Sequence, residues 1–251
     1  MPPVVCIPAR MNSSRLPGKM LADIGGKPMI RHVAEAASQG GIYPVFVVAD
    51  HPYILEAIKD IENVKGILLE KSYQSGSDRI QGLLDKVDPQ KAFDIVINLQ
   101  GDMPFISPCL IQEVLKTLSS QSVDLGTLVA PLSLEAAKAI SKVKVACAFT
   151  DHDKNARALY FSRNIVPCAG KIWEHVGIYA WRRSSLERFV AATPSLLEQQ
   201  ESLEQLRALE LGMRIDCRRI ELAPISVDVP QDLENVRIAY DKMGVKIKDT
   251  K

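Results

Sequence analysis

The sequence predicts an α/β fold: a Rossmann-like, mostly parallel central sheet flanked by helices, with a smaller α/β lobe. Val4–Ile7, Val45–Ala49, Gly66–Leu69 and Asp94–Leu99 are near-continuous apolar runs of strand length. Runs without alternation suit strands buried on both faces. Between them Pro28–Ser38, Tyr53–Ile61 and Asp78–Val87 carry apolar residues at three- and four-residue spacing, the βαβα order of a parallel sheet flanked by helices. From Asp124 the rhythm changes to strand-like runs with little helix between them, hence the second lobe.

The remaining elements follow in order. Ser107–Leu118 reads as a helix, with Ser107 as N-cap and Pro108 in the first helical position. Leu125–Leu132, Lys144–Thr150, Ala156–Phe161 and His175–Arg182 read as strands. Ser195–Leu211 reads as one strong helix whose apolar side is marked by Leu197, Leu203, Leu206 and Leu209–Leu211, with Gly212 at its end. Met213–Ile220 is a strand and Val229–Met243 a closing helix with Pro230 near its start. The polar tail Lys246–Lys251 is expected to fray. Neither a repeat nor a low-complexity linker divides the chain. Residues 1–251 are therefore expected to form one domain, with 1–123 as core, 124–225 as the lobe and 226–251 returning to the core.

Composition narrows the function classes. With 251 residues, 47% hydrophobic and 24% charged, the chain can bury a sizeable core. A net charge of +1 argues against a protein that coats nucleic acid, although a few cations can still converge on one phosphate site. Cys6, Cys109, Cys147, Cys168 and Cys217 include no short-spaced pair, which disfavours a metal ribbon or a redox motif and fits reduced thiols, mostly packed in the core. The opening MPPVVCIPAR is unlike a signal peptide. No apolar run reaches the roughly 20 residues needed to span a bilayer. The expectation is a cytoplasmic protein with no nucleic-acid or membrane partner.

Two segments carry candidate chemistry. IPARMNSSRLPGK (7–19) directly follows the first strand, where open α/β sheets bind ligands. It sets Arg10, Arg15 and Lys19 among Ser13, Ser14 and Gly18. Small residues let backbone N–H groups approach phosphate oxygens while the cations offset their charge. The spacing matches neither GxxxxGK[ST] nor GxGxxG, and on charge alone a solvated basic loop also fits. The second segment, INLQGDMP (97–104), turns through Gly101 to Asp102, and far along the chain ISVDVP (225–230) presents Asp228. Two carboxylates converging near a triphosphate suit Mg2+. Their Gly and Pro neighbours suit turn and cap residues equally, and spacing alone favours that plainer reading.

The ordered set IPAR…SSRLPGK, GKPMI, QSGSDR, INLQGD, ALYFSR, EHVGIYAW, LEQLRALE and VDVPQDLE resembles the 3-deoxy-manno-octulosonate (Kdo) cytidylyltransferases, from about Val4 to Val236. The resemblance implies a nucleotide-diphospho-sugar transferase type of fold, CTP and the acidic sugar Kdo as substrates, Mg2+ as cofactor, and a homodimer serving lipopolysaccharide synthesis. It further implies that residues 1–123 mainly bind CTP and that 124–225 bind sugar and dimerise. Arg10, Arg15 and Lys19 would meet the CTP phosphates beside Ala9 and Ser14. Gln74 and Ser75 would lie on the cytosine side, supported by Arg79, and Asp102 and Asp228 would hold metal. Gln100, Arg163, His175, Tyr179, Glu204 and Gln205 fall where the family places its sugar pocket. Read singly, each of the last five has a structural alternative: an edge charge for Arg163, a strand-start histidine, a core tyrosine, and solvated helix positions for Glu204 and Gln205.

Two departures stand out. Met103 occupies the position where the family commonly has a glutamate after QGD, and NIVPCAGKIWE (164–174) is short, with Cys168 where an aromatic often follows the proline. The sugar is thus the least constrained inheritance, and a branch using 8-amino-Kdo is the nearest alternative. A cytidylyltransferase for sialic acid is disfavoured by RLPGK with LEQLR. A catalytically silent nucleotide-binding protein is disfavoured by the retention of both Asp102 and Asp228.

Overall fold

The computed structural model describes residues 2–13, 15–39 and 43–248, with side chains only as far as residue 242 at the C-terminal end. Ser14 and the tail residues 249–251 lie outside the described residues.

The strands are β1 (Pro3–Ala9), β2 (Asp23–Ile24), β3 (Lys27–Pro28), β4 (Val45–Ala49), β5 (Val64–Leu68), β6 (Ile95–Leu99), β7 (Leu125–Leu132), β8 (Lys144–Cys147), β9 (Asn155–Ser162), β10 (Ile172–Arg182) and β11 (Ile215–Arg219). The helices are α1 (Met29–Ser38), α2 (Pro52–Glu56), α3 (Gly76–Val87), α4 (Pro108–Leu115), α5 (Leu134–Ala137), α6 (Arg183–Ala191), α7 (Leu196–Glu201), α8 (Gln205–Glu210) and α9 (Pro230–Lys248). Apart from the small β2–β3 hairpin, these strands form one nine-stranded sheet in the order β5-β4-β1-β6-β10-β7-β11-β9-β8.

Parallel pairing runs unbroken through the first half and recurs in the second only between β7 and β11. β5, β4, β1 and β6 are mutually parallel, as βαβ crossovers demand. β10 then enters antiparallel to both β6 and β7, and β8 and β9 are antiparallel as well. The sheet as a whole is mixed rather than mostly parallel. The second half is not a detached lobe, because β10 joins it to β6 within the same sheet. β10 serves both halves by pairing with β6 along one edge and β7 along the other; its register with β7 shifts between Val176 and Tyr179, and such irregularities bend a strand. Beyond the bend, a bridge between Lys144 and Glu174 brings β8 back against β10.

Burial explains the apolar runs. Along β1, Val5, Ile7 and Ala9 pack into one core and Val4 and Cys6 into the other, so alternate side chains feed opposite faces of the sheet. All five cysteines are free: Cys6 and Cys217 are buried, whereas Cys109 and Cys168 are exposed. The expectation of mostly core thiols therefore holds for only part of the set.

The single helix expected over Ser195–Leu211 is two helices. Ser202 adopts a left-handed φ of 55° and ends α7, and Leu203 then turns into the core at 6% exposure. The break costs backbone strain and frees the carbonyls of Glu201 and Ser202, which the Arg163 guanidinium takes up. Ser107 is the N-cap of α4 as expected, though its side chain makes no capping bond. Helix α6, with its polar face, was missed from the sequence. Among the described residues no helix is long and apolar enough to cross a membrane.

Candidate active site

The loop after β1 is closed by its own backbone. Gly18 N–H donates to Met11 O (3.0 Å), and Gly18 sits at φ 69°, a conformation that strains side-chain-bearing residues. That turn delivers Lys19 into the short 3-10 turn Lys19–Leu21. Asp50 at the end of β4 accepts from Met11 N–H at 2.8 Å and fixes the start of the loop.

Gly101 ends the next strand over. A Cβ there would lie 3.0 Å from Met20 Sδ and 3.3 Å from Pro8 O, so only glycine lets the chain turn Asp102 across the sheet edge without displacing neighbours. Asp228 is brought to the same place by two devices. Val227 N–H donates to Asp102 O (2.9 Å), tying the two segments together. Asp232 accepts from the N–H groups of Asp228 (2.9 Å) and Val229 (3.0 Å) at the start of α9, capping the helix and fixing the turn. The role of Asp232 was missed; an acid two residues after the Pro of VDVP is the helix-start signal that would have revealed it.

Lys19 lies between the two carboxylates. Its ammonium donates to Asp102 Oδ2 (2.7 Å) and Val227 O (3.1 Å) and stands 3.8 Å from Asp228 Oδ1. Arg15 donates to the same Asp228 oxygen at 2.8 Å. The convergence that spacing could not establish is thus present.

A cleft of about 450 Å3 opens here, lined by Arg10, Arg15, Lys19, Arg79, Asp102, Asp228, Gly76 and neighbouring residues. Four cations face two carboxylates, so the cleft is set for a polyanion. Arg79 is 2% exposed; its guanidinium donates to Leu69 O (3.1 Å), lies 3.7 Å from Asp50 and sits over the Tyr73 ring. Burial pulls its pKa down, with Asp50 opposing, and its Nε is buried without a partner. Ser75 caps α3 through a capping box with Asp78, while Gln74 is exposed. Ala9 is buried in the core beneath the loop.

A second pocket of about 210 Å3 shares Gln100, Asp102 and Asp228 with the first and adds Lys142, Glu174, His175 and Met103. Gln100 Nε2 donates to Asn98 Oδ1 (2.7 Å), which fixes its orientation on the shared wall. Burial pulls the His175 pKa down to about 3, so the ring is neutral; Nε2 lies 3.0 Å from Thr127 Oγ1. Tyr179 is 5% exposed and packs in the core beside His175, burial pushing its pKa up. Met103 is 3% exposed and lines this pocket, so the chain sets an apolar side chain beside Asp102.

The structure leaves four expected sugar-pocket residues outside both cavity walls, Tyr179 and three others. Arg163 donates to Glu201 O (3.0 Å), Ile140 O (3.1 Å) and Ser202 O (3.4 Å), and its own carbonyl accepts from Lys144. Its guanidinium is engaged in joining the α7–α8 break to the chain around Ile140. Glu204 accepts from Ser77 Oγ at 3.2 Å, and burial raises its pKa. Gln205 is buried at 3% exposure.

Comparison with known proteins places this arrangement. A family model described as Cytidylyltransferase matches residues 4–215. A 3-deoxy-manno-octulosonate cytidylyltransferase of Paramagnetospirillum magneticum is 43% identical over 237 residues, 94% of this chain and 96% of that protein. The chain belongs to the 3-deoxy-manno-octulosonate cytidylyltransferase family. Another protein of that name, from Sinorhizobium medicae, is 46% identical over 93% of this chain and 94% of its own length. The solved structure of a CMP:2-keto-3-deoxy-manno-octonic acid synthetase complexed with CTP superposes with a TM-score of 0.86 at 38% identity, covering 97% of this chain and all of that one.

Proposed function

We propose that this member of the cytidylyltransferase family joins Kdo to CMP from CTP, releasing pyrophosphate. The observation that carries the reading is the pair of adjoining pockets, one with four cations, that meet at Asp102 and Asp228. CTP would lie in the larger, its triphosphate against Arg10, Arg15 and Lys19 and its base toward the α3 start and Arg79. Kdo would lie in the smaller, over Gln100 and the neutral His175.

The reaction is attack of the sugar's anomeric hydroxyl on the α-phosphorus of CTP. A new P–O bond forms, the bond to the β-phosphate bridging oxygen breaks, pyrophosphate leaves and the hydroxyl proton is released. These residues work by placing the two substrates and balancing phosphate charge. Among the described residues no group of three or more His, Cys, Asp or Glu could hold a metal. Asp102 and Asp228, both beside one ammonium, would offer hard oxygen donors to a Mg2+ ion, which favours a few carboxylates together with phosphates and water. Such an ion, when bound, neutralises phosphate charge and acidifies a coordinated hydroxyl. A homodimer in the cytoplasm, supplying lipopolysaccharide synthesis, is the accompanying proposal.

The test is pyrophosphate release requiring CTP, Mg2+ and Kdo together. Asp228→Asn is expected to reduce turnover at least about 100-fold while its melting temperature stays close to that of the parent. Near-normal turnover of the variant in Mg2+ would remove Asp228 from the metal role.

A further inference from the structure

The Lys19 side chain is 10% exposed and its ammonium stands between Asp102 and Asp228. Three acceptors surround it: Asp102 Oδ2 at 2.7 Å, Val227 O at 3.1 Å and, farther out, Asp228 Oδ1 at 3.8 Å. Arg15 adds a second cation to the same Asp228 oxygen, from an exposed position. The carboxylates proposed to bind Mg2+ are therefore already neutralised by the protein's own side chains. A divalent ion approaching without nucleotide meets carboxylates whose charge is compensated and an ammonium that repels it.

We infer that Lys19 is an internal counter-ion that blocks the metal site until CTP arrives, so that nucleotide and divalent cation bind cooperatively. The triphosphate brings what releasing Lys19 requires, a competing anion within reach of the ammonium. Lys19 lines the same cavity as Arg10 and Arg15, and its long, flexible stem lets the charge swing between neighbouring acceptors. When Lys19 and Arg15 turn to phosphate oxygens, Asp102 and Asp228 are left as anions facing a cation site that the phosphates would complete. By linkage, CTP tightens metal binding and metal tightens CTP binding by the same factor. This inference rests on the metal reading of Asp102 and Asp228 and adds to it an order of events and a second role for Lys19.

The experiment is titration of Mn2+, followed by its paramagnetic resonance signal, into the full-length chain with no nucleotide and again with saturating CTP but no sugar, the latter read against a protein-free mixture of Mn2+ and CTP because the nucleotide itself chelates the ion. Three proteins are compared: the parent, Lys19→Met and Arg15→Gln. In the parent, Mn2+ alone should bind weakly. In Lys19→Met, Mn2+ alone should bind roughly 10- to 100-fold more tightly, the ratio corresponding to a lost hydrogen bond between charged groups. Arg15→Gln, an exposed change that leaves the Lys19 contacts in place, should tighten it by a smaller factor and serves if Lys19→Met does not fold. Parent protein whose Mn2+ binding with CTP, beyond that of the protein-free Mn2+–CTP mixture, is no tighter than without nucleotide would overturn the inference, as would variants that leave metal-only affinity unchanged. If no variant binds Mn2+ even with CTP, the metal reading falls and the inference falls with it.

Discussion

Replacing Arg163 by methionine separates an architectural role from a substrate-binding one. The change removes three donated hydrogen bonds, to Glu201 O, Ile140 O and Ser202 O at 3.0, 3.1 and 3.4 Å, and keeps an apolar stem of similar length. A hydrogen bond from a charged donor contributes about 1.5–3 kcal/mol when buried and less when water can replace it. The Nη1 and Nη2 bonds are exposed and the Nε bond is partly buried, so a total loss of about 2–4 kcal/mol is expected. In a chain of this size that lowers the melting temperature by roughly 5–12 °C. Urea unfolding followed by the fluorescence of Trp173 and Trp181, both buried, reads the loss directly. The Michaelis constant for Kdo, measured below the unfolding range, should rise only modestly, because the guanidinium lies outside the pocket walls. A variant as stable as the parent but with a Kdo constant raised 100-fold would refute the reasoning and place the guanidinium on the sugar.

Other consequences are checked by simpler means. Unfolded, His175 titrates near pH 6.5, whereas burial holds it at about 3 in the folded chain. Between those values the unfolded state takes up the extra proton, so stability falls as pH falls, by up to about 1.4 kcal/mol per unit. Urea midpoints from pH 4.5 to 7 should show a shallower acid limb for His175→Gln, and an unchanged slope would mean that water reaches the ring. At Gly126 in β7 a Cβ would lie 1.5 Å from Thr117 Oγ1 and 2.6 Å from its Cβ; Gly126→Ala should cost about 3 kcal/mol or more, and adding Thr117→Gly should restore much of the soluble yield. Arg207, 2% exposed and paired through both Nε and Nη2 with Glu198, should tolerate Glu198→Ala poorly, at about 3–5 kcal/mol by denaturant unfolding, because the change strands a buried charge.

The first half of the fold was legible because its strands are apolar on both faces and its helices keep their period. The second half was less so, for identifiable reasons. β10 shifts its register against β7 between Val176 and Tyr179, and the one local mark of it, Gly177 inside the strand pattern, signals a bulge without saying how the pairing resumes. Leu203 continues the apolar spacing of a helix while the backbone breaks beneath it at Ser202, so the pattern hid the break. In the site, the charged loop and QGD turn announced Lys19 and Asp102, but their meeting with Asp228 depends on the Val227–Asp102 backbone bond, a long-range contact that no local pattern encodes. Arg163 was assigned to the sugar by motif position, whereas here its guanidinium is engaged by three carbonyls, two of which, those of Glu201 and Ser202, become available because α7 ends where it does.

The central claim is the identity of the transfer, and one assay addresses it: pyrophosphate release from CTP and Mg2+ with Kdo, 8-amino-Kdo or sialic acid offered separately. The account predicts release with Kdo and little with sialic acid, which would also show that Met103 and the short 164–174 loop are compatible with a working sugar pocket. Release with 8-amino-Kdo or sialic acid but not with Kdo would keep the chemistry and overturn the sugar. Silence with all three, from folded protein that still binds CTP, would contradict the enzyme assignment itself.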